Sequence, residues 1–308
     1  MYKERIVQSL CRAMSSSPAL VPLLTRSWGD YTLLDTGGGE KLEQYGPVRV
    51  IRPEPQAMWP RNSPDTEWAR AQAVFRTQKL DDEDTEGRWQ KNGAVPDTWP
   101  LSCGGVTFHG RLTAFRHVGF FPEQGVHWDW MTPLIRQAGR PVKLLNLFAY
   151  TGVASLIAAK AGAQVTHLDA SKKTVTYARE NAALAGLEQA PVRWIVEDAR
   201  KFVAREVRRG NTYDAIILDP PKYGRGTENE VWHLLQDLPG LLADCAKLLS
   251  PSPLFFILTA YNARLSALTL ESLLRPLLPS GTYESGELLL SDPAGRMIST
   301  ALFSRVRF

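Results

Sequence analysis

Acidic side chains follow three apolar segments of this sequence, at the points where those segments end. Asp169 closes the run V-T-H-L-D, Glu197 and Asp198 follow the run V-R-W-I-V, and Asp219 opens D-P-P-K-Y. The two prolines after Asp219 fix the backbone dihedral φ twice and remove two N–H donors. They leave rigid carbonyl groups beside a carboxylate, a set of acceptors suited to holding an amino group. Asp-Pro-Pro is the strongest chemical signal in the chain.

A fourth polar segment lies upstream, in the run K-L-L-N-L-F-A-Y-T-G from Lys143 to Gly152. Its apolar start has the length of a buried parallel strand, and a new apolar pattern follows Gly152. Strand, tight loop and helix form the place where an open α/β sheet binds a nucleotide-like ligand. The dinucleotide pattern G-x-G-x-x-G needs three glycines, and Gly152 is the only glycine in this loop. The loop therefore suits a ligand without a pyrophosphate.

The acids have two interpretations each. Asp169 ends the next strand about 20 residues on, where an acid accepts hydrogen bonds from ribose hydroxyls. It also precedes a helix, although Ser171 is already a good cap for that helix. Asp198 can accept from an adenine amino group or can cap the helix that follows it. The sequence leaves both interpretations of Asp198 open.

The elements that position these residues alternate between strand and helix after Gly119. Strands are predicted at 142–147, 165–169, 192–196, 213–218 and 254–258, and the last two, at 283–290 and 297–306, form a hairpin. Helices are predicted at 122–138, 153–161, 199–209, 230–249 and 265–277, with another after Ser171. These βαβ units predict an α/β fold with a seven-stranded mixed sheet. The carboxyl ends of its parallel strands place the loop and the acids at one edge.

The region before this sheet is different. Residues 28–117 contain short strand patterns with Gly and Pro turns and predict a small β-rich N-terminal domain, with a helix within 59–75. The α/β region with the mixed sheet then occupies 118–308. Residues 1–27 are basic, contain serines and carry one acid. They are interpreted as a disordered leader, as an extension upstream of a true start at Met14, or as a mitochondrial transit peptide.

Composition sets the broad class. The chain has 308 residues, 44% hydrophobic residues and a net charge of +4, which permits an anionic partner without requiring one. Its three cysteines, Cys11, Cys103 and Cys245, are scattered, so we expect no metal site and a reducing, cytoplasmic compartment. The alternative is a mitochondrial location if residues 1–27 are a transit peptide. No apolar run is as long as a membrane span.

The runs L-L-N-L-F-A-Y-T-G, V-T-H-L-D-A-S, A-R-E-N, V-E-D-A and D-P-P-K-Y, with G-F-F-P-E-Q upstream, resemble a known family. They are similar to the class I S-adenosylmethionine-dependent methyltransferases, whose fold is Rossmann-like. Within these they resemble the bacterial large-subunit ribosomal RNA methyltransferases related to the cytosine carbon-5 enzymes. The resemblance covers roughly 118–308. It implies S-adenosyl-L-methionine as cofactor, with Asp219 near the transferred methyl group. The implied cofactor-binding residues, with Ser171 and Ala199 added as neighbours, are Gln124, Asn146, Phe148, Ala149, Tyr150, Thr151, Gly152, Asp169, Ser171, Asp198 and Ala199.

Two departures from this branch affect the mechanism. Its D-Q-R segment is E-Q-G here, so an arginine is replaced by Gly125. Methylation of cytosine carbon-5 requires a cysteine thiolate that adds to the ring. Relatives carry it after the fifth strand, where this chain reads L-T-A-Y-N-A-R without a cysteine. We therefore expect direct transfer to a nitrogen or oxygen, with Asp219 and Lys222 as the catalytic residues.

RNA, most simply ribosomal RNA, is the expected substrate. The helix 199–209 is the best basic patch, with Arg200, Lys201, Arg205, Arg208 and Arg209, and its alternative interpretation is a solvated face. Further basic residues are Arg111, Arg116, Lys222, Arg225 and Arg264. Tyr223 or Tyr261 are candidates for stacking a base, and Asn262 for contacting its edge. The alternatives are a methyltransferase acting on a protein or small molecule, a nicotinamide-dependent dehydrogenase, and a non-catalytic cofactor- or RNA-binding protein. The missing glycines count against the dehydrogenase.

Overall fold

A computed structural model describes residues 19–77, 87–261 and 265–308 of the chain. Most of the predicted leader, Asn262 and Arg264 lie outside the described residues. The strands are β1 (Leu20–Thr25), β2 (Tyr31–Gly37), β3 (Glu40–Tyr45), β4 (Val48–Pro53), β5 (Ala73–Arg76), β6 (Arg88–Lys91), β7 (Trp99–Cys103), β8 (Val106–Gly110), β9 (Val142–Leu147), β10 (Ala163–Asp169), β11 (Val192–Val196), β12 (Ala215–Leu218), β13 (Tyr223–Arg225), β14 (Val231–His233), β15 (Phe255–Ala260), β16 (Thr282–Ser291) and β17 (Met297–Arg307). The helices are α1 (Asp65–Trp68), α2 (Gly125–Arg136), α3 (Val153–Lys160), α4 (Lys172–Leu184), α5 (Ala199–Arg209), α6 (Leu234–Lys247) and α7 (Ala267–Leu274), and a 3₁₀ turn spans Pro122–Gln124.

The main sheet has the order β1-β16-β17-β15-β12-β9-β10-β11. Strands β15, β12, β9, β10 and β11 are parallel, whereas β17 runs antiparallel to both β15 and β16. The predicted mixed α/β sheet with a C-terminal hairpin is confirmed. Because the central strands are parallel, the segments that follow β9, β10, β11 and β12 all meet at one edge.

The main sheet contains eight strands, so the predicted count of seven was wrong by one. The additional strand is β1, which lies within the predicted leader and pairs parallel with β16 from Leu20↔Ser285 to Thr25↔Leu290. The prediction of a disordered leader was therefore also wrong for Leu20–Thr25. A strand at an edge tolerates Pro22, because one side of its backbone needs no partner. Gly286 allows the approach, since a Cβ there would collide with the backbone of Val21.

The N-terminal region is rich in strands, as predicted. Strands β2 to β6 form a five-stranded sheet in sequence order, called the front sheet here, and β7 and β8 form a separate hairpin. Of the segment 59–75, in which a helix was predicted, only the single turn Asp65–Trp68 is helical. The prediction was wrong for Ala73–Arg76, which forms a strand that pairs with β4 and β6. The helix predicted from residue 230 begins at Leu234, because Val231–His233 pairs with Tyr223–Arg225. Tertiary pairing overrides the local helical pattern at both places.

The two sheets share one buried core. A single apolar cluster includes Tyr45 and Phe108 from the N-terminal region and Leu144 and Leu156 from the main sheet and its helix α3. The front sheet also binds the C-terminal hairpin, since Thr36 Oγ1 donates to Asp292 Oδ2 at 2.8 Å. The division of the chain at residues 117 and 118 stays a prediction. Within the described residues, no helix is long and apolar enough to cross a membrane.

Candidate active site

A cleft of about 490 Å³ opens at the carboxyl edge of the main sheet. A smaller cavity of about 60 Å³ lies next to it, toward helix α2. The two share Phe121, Phe148, Tyr150 and Asp219 as lining residues. Every site residue predicted from the sequence lines one of them. The larger cleft is lined by Phe148, Tyr150, Asp169, Ser171, Asp198, Ala199, Asp219 and Lys222, and the smaller cavity by Gln124, Asn146, Phe148, Ala149, Tyr150, Thr151, Gly152 and Asp219.

In the loop after β9, every second residue from Phe148 to Gly152 has a left-handed backbone conformation. Phe148, Tyr150 and Gly152 have φ values of 56°, 49° and 84°. Only glycine adopts this region freely, so Phe148 and Tyr150 each cost about 1–3 kcal/mol. At Gly152 space also matters, because a Cβ would lie 2.9 Å from the Cβ of Ala178. The N–H of Ala149 donates to the carbonyl of Leu168 at 3.0 Å, which fixes the loop against β10.

Asp169 organises this loop through its carboxylate. Its Oδ2 accepts from the N–H of Tyr150 at 3.0 Å, and its Oδ1 accepts from the N–H of Ser171 at 2.9 Å. Burial raises the pKa of Asp169, and these two N–H groups act in the opposite direction. A carboxylate has about four lone-pair sites, so Asp169 can still accept from a ligand in the cleft. Ser171 Oγ accepts from the N–H of Thr174 at 3.2 Å and caps α4, as predicted.

Asp198 both caps a helix and lines the cleft. Its Oδ1 accepts from the N–H groups of Arg200 at 3.0 Å and Lys201 at 3.1 Å, the first turn of α5. The side chain is 7% exposed. Glu197 next to it is paired with the guanidinium of Arg205. The capping interpretation of Asp198 is confirmed, and a role toward a ligand stays a prediction.

Asp219 has a different environment. Its Oδ2 accepts from Nε2 of Gln124 at 3.1 Å, and the same amide donates to Oη of Tyr261 at 3.0 Å. Its Oδ1 is buried and has no hydrogen-bond partner within the described residues. Burial, followed by the nearby charge of Glu123, raises the pKa of Asp219 to about 8, against the lowering effect of Gln124. The cleft therefore contains a carboxyl group with one open oxygen.

Two predicted cofactor-binding side chains are already bonded within the protein. Asn146 Nδ2 donates to Ser155 Oγ at 2.9 Å, and that hydroxyl lies 3.0 Å from Nδ1 of His167. Thr151 Oγ1 donates to the carbonyl of Gly119 at 2.6 Å. These contacts fix the loop to the rest of the protein. Asn146 and Thr151 therefore contribute to the site by positioning the residues that line the cavity.

An aromatic wall lines the other side of the cleft. The ring of Phe121 lies 4.8 Å from that of His117, 5.6 Å from Tyr150 and 5.1 Å from Tyr261, between centroids. Phe115, which is 40% exposed, lines the cleft as well. The sequence interpretation missed Phe121, His117 and Phe115. Phe121 lies in the G-F-F-P-E-Q segment, from which only Gln124 was predicted as a site residue. Its place in that motif was the signal in the sequence that could have identified it.

The predicted basic patch on α5 is largely neutralised by ion pairs. Lys201 is paired with Glu228 and Glu230, and Arg200 NH1 lies 2.8 Å from Asp237 Oδ1. The other pairs on this helix are Arg205 with Glu197 and Arg209 with Glu206. The helix is therefore a weaker candidate for binding RNA than its sequence indicated.

Neither described cysteine lines the cleft. Cys245 is fully buried in α6, and burial raises the pKa of its thiol. Burial also raises the pKa of Cys103, to about 12. Thiols in these environments are poor nucleophiles at neutral pH. In the part of the chain that the structure describes, no group of His, Cys, Asp or Glu is arranged to hold a metal ion.

The parallel sheet, the loop after its first strand and the acids at the following strand ends define a nucleotide-cofactor-binding α/β protein. Residues 62–269 match the family model described as S-adenosylmethionine-dependent methyltransferase. The chain belongs to this family, and S-adenosylmethionine is its cofactor.

Solved structures agree with this assignment. A crystal structure of the SAM-dependent methyltransferase from Agrobacterium tumefaciens is 51% identical, with a TM-score of 0.89 over 95% of this chain and 96% of that chain. A SAM-dependent methyltransferase from Streptococcus mutans is 16% identical, with a TM-score of 0.68 over 98% of this chain and 78% of that one. The second comparison shows the shared fold.

Curated relatives match a shorter stretch. The ribosomal RNA large subunit methyltransferase K/L of Shewanella frigidimarina is 33% identical over 150 residues, 48% of this chain and 20% of that protein. The ribosomal RNA large subunit methyltransferase I of Shewanella denitrificans is 41% identical over 81 residues, 26% of this chain and 20% of that protein. The match thus spans about a fifth of the length of these relatives.

Proposed function

We propose that this protein methylates RNA, with ribosomal RNA as the substrate class, by direct transfer to an exocyclic amino group of a base. The observation that carries the proposal is the buried Asp219 Oδ1, which has no partner in the described structure and lies in the cleft beside Pro220. The names of the curated relatives support ribosomal RNA as the substrate. A cytoplasmic location is part of the proposal, because free cysteines persist in a reducing compartment.

The residues present fit the cofactor of the family. Asp169 retains acceptor capacity for the ribose hydroxyls, and Asp198 lies at the end of the neighbouring strand, where it faces the adenine. Phe148 and Tyr150 line the cleft from the loop that follows β9. Gln124 joins this set through its contact with Asp219. The bound cofactor supplies a methyl group made electrophilic by a sulfonium centre.

The protein orients the acceptor and receives its proton. An exocyclic amine donates one N–H to Asp219 Oδ1 and the other to the carbonyl of Pro220, which directs its lone pair into the cleft. Asp219 in its ionised form then takes the proton that the amine loses when it is methylated. Because its pKa is raised to about 8, this form becomes more abundant as pH rises toward 8. Lys222 lines the same cleft, with its Nζ 5.3 Å from the ring centroid of Tyr223, and binds a phosphate of the substrate.

Direct transfer has a simple test. Because Cys245 is buried in α6 and away from the cleft, Cys245→Ser should leave the rate of methyl transfer unchanged. The rate is measured as S-adenosylhomocysteine formed with total RNA. An inactive Cys245→Ser enzyme with a normal unfolding transition would instead support covalent attack on a pyrimidine ring.

A methyltransferase acting on a protein or small molecule is the second candidate, and the ion pairs along α5 favour it. RNA binding should weaken steeply as salt rises, because each phosphate contact releases counterions. The deciding experiment is mass spectrometry of modified nucleosides in ribosomal RNA from a deletion strain. One N-methylated nucleoside should be missing and should return with the wild-type gene. An unchanged nucleoside profile, together with salt-independent substrate binding, would contradict the RNA proposal.

A further inference from the structure

His127 lies on α2, on the side of the smaller cavity. It is 2% exposed and lines this cavity together with Gln124, Asn146 and Gly152. Neither of its ring nitrogens has a hydrogen-bond partner within the described residues. Buried polar groups are almost always hydrogen-bonded, so one without a partner beside a cavity calls for a ligand group or water.

The amide groups of the cavity do not bond to His127, because they are bonded to other residues. The Asn146 amide donates to Ser155, and the Gln124 amide donates to Asp219 and Tyr261. The residues that line the cavity include no lysine or arginine. Burial and the charge of Arg305 lower the pKa of His127 to about 3, so its imidazole is neutral and carries one N–H donor and one acceptor.

The position of the cavity identifies the part of the ligand. Asp169 and Asp198, assigned above to the adenosine, line only the larger cleft. The smaller cavity adjoins that cleft at Phe121, Phe148, Tyr150 and Asp219, and neither of the two acids lines it. Its volume of about 60 Å³ suits a small polar group. The cofactor carries one such group beyond its sulfur, the amino-acid end with a carboxylate and an ammonium.

We propose that His127 binds the amino-acid end of the cofactor and donates a hydrogen bond to its carboxylate. The inference rests on the placement of the adenosine under the proposed function, but it does not depend on RNA as the substrate. The cavity has no basic side chain, and His127 offers a buried ring N–H that no described residue accepts. A bond between it and a charged carboxylate is of the stronger kind.

The test compares two ligands that differ in this group. S-Adenosylhomocysteine carries the amino-acid end, whereas 5′-methylthioadenosine has the same nucleoside and thioether sulfur without it. Calorimetry with His127→Phe should show an affinity for S-adenosylhomocysteine that is about tenfold to hundredfold weaker. The affinity for 5′-methylthioadenosine should stay within about twofold, since the lost bond is worth little to that ligand. His127→Leu is measured in parallel, so that the result does not depend on one replacement.

Two further variants separate binding from packing. His127→Gln keeps a side-chain N–H and should recover part of the affinity for S-adenosylhomocysteine. His109→Phe is the matched control, because His109 also has a buried Nδ1 without a described partner but lines neither the cleft nor the cavity. An equal loss for both ligands, or no loss for either, would overturn the assignment of His127. No RNA is present, so failure of the RNA proposal would leave this result unaffected.

Discussion

The acids along the cleft fall into two groups with opposite states of satisfaction. The outer acids, Asp169 and Asp198, accept backbone N–H groups. Asp169 accepts from the loop after β9 and from Ser171, and Asp198 accepts from the first turn of α5. The inner acid, Asp219, has one buried oxygen without a described partner and lies close to Glu123. Folding alone satisfies the outer acids, whereas the inner acid is left for a ligand. The outer acids therefore belong to the scaffold as well as to the proposed cofactor site.

The largest effect should follow from changing the inner acid. Asp219→Asn removes the proton acceptor but keeps a side chain that can bond Gln124. We expect the rate of methyl transfer to fall about 100-fold or more. The affinity for S-adenosylhomocysteine should change only a few-fold, because binding relies on the outer acids. Single-turnover kinetics and calorimetry measure the two effects, with Asp244→Asn on the exposed side of α6 as control. An equal loss of rate and affinity would remove the distinction between the groups.

Changing an outer acid should have the reverse pattern. Asp169→Ala removes the predicted ribose contact, the bond to Tyr150 that holds the loop after β9, and the bond to Ser171. We expect cofactor affinity to weaken at least roughly tenfold. Calorimetry on purified protein measures this directly. Unchanged affinity would remove Asp169 from the cofactor site.

The pH dependence of stability reports on the inner acid without any ligand. The pKa of Asp219 is raised from 3.8 to about 8 in the folded protein, so folding favours the protonated carboxyl. Its contribution to stability is complete below about pH 4 and is lost as pH rises through about 8. Asp219→Asn should avoid this loss, and its melting temperature relative to wild type should rise by roughly 3 °C or more between pH 5 and pH 9. If the melting temperatures of the two proteins changed by the same amount between pH 5 and pH 9, Asp219 would have an ordinary pKa in the folded protein.

The smallest effect should come from the capping acid. Asp198→Ala leaves two N–H groups of α5 without their partner and should cost about 1 kcal/mol of unfolding free energy. Urea unfolding at pH 7 measures this value. Asp198→Ser, which can still cap the helix, should recover most of it. No change in either variant would mean that Asp198 serves the cleft alone.

The sequence predicted the parts of the fold that depend on local patterns. Strand β12 is a continuous apolar run that Asp219 follows, and β9 is apolar except for Lys143 and Asn146. The positions of these strands and the convergence of Asp169, Asp198 and Asp219 therefore followed directly. Strand β1 and the hairpin of β13 and β14 were missed because each depends on a partner distant in sequence or on only three residues. Short segments of this kind carry too little periodicity to be recognised.

The same limit applies to the site. Gln124 was predicted, but the roles of Phe121 and His127 depend on how α2 and the turn before it pack against the ends of the central strands. The neutralisation of α5 was equally hidden, because Glu228, Glu230 and Asp237 come from a segment about 30 residues later in the chain. Residue type and spacing located the acids, and only the folded structure shows which of them retain an open oxygen.

The pairing of β1 with β16 has a consequence for the order of assembly. The front sheet is tied to the same hairpin by Thr36 with Asp292 and by Arg296 with Asp35, pairs that lie 256 and 261 residues apart in sequence. Such distant contacts form late, because closing a long loop costs entropy before any contact is gained. In a chain emerging from the ribosome, β1 therefore stays unpaired until β16 has been synthesised. We expect stalled chains that end before residue 282 to be cleaved by protease within Leu20–Thr25, a segment that is protected in the released protein.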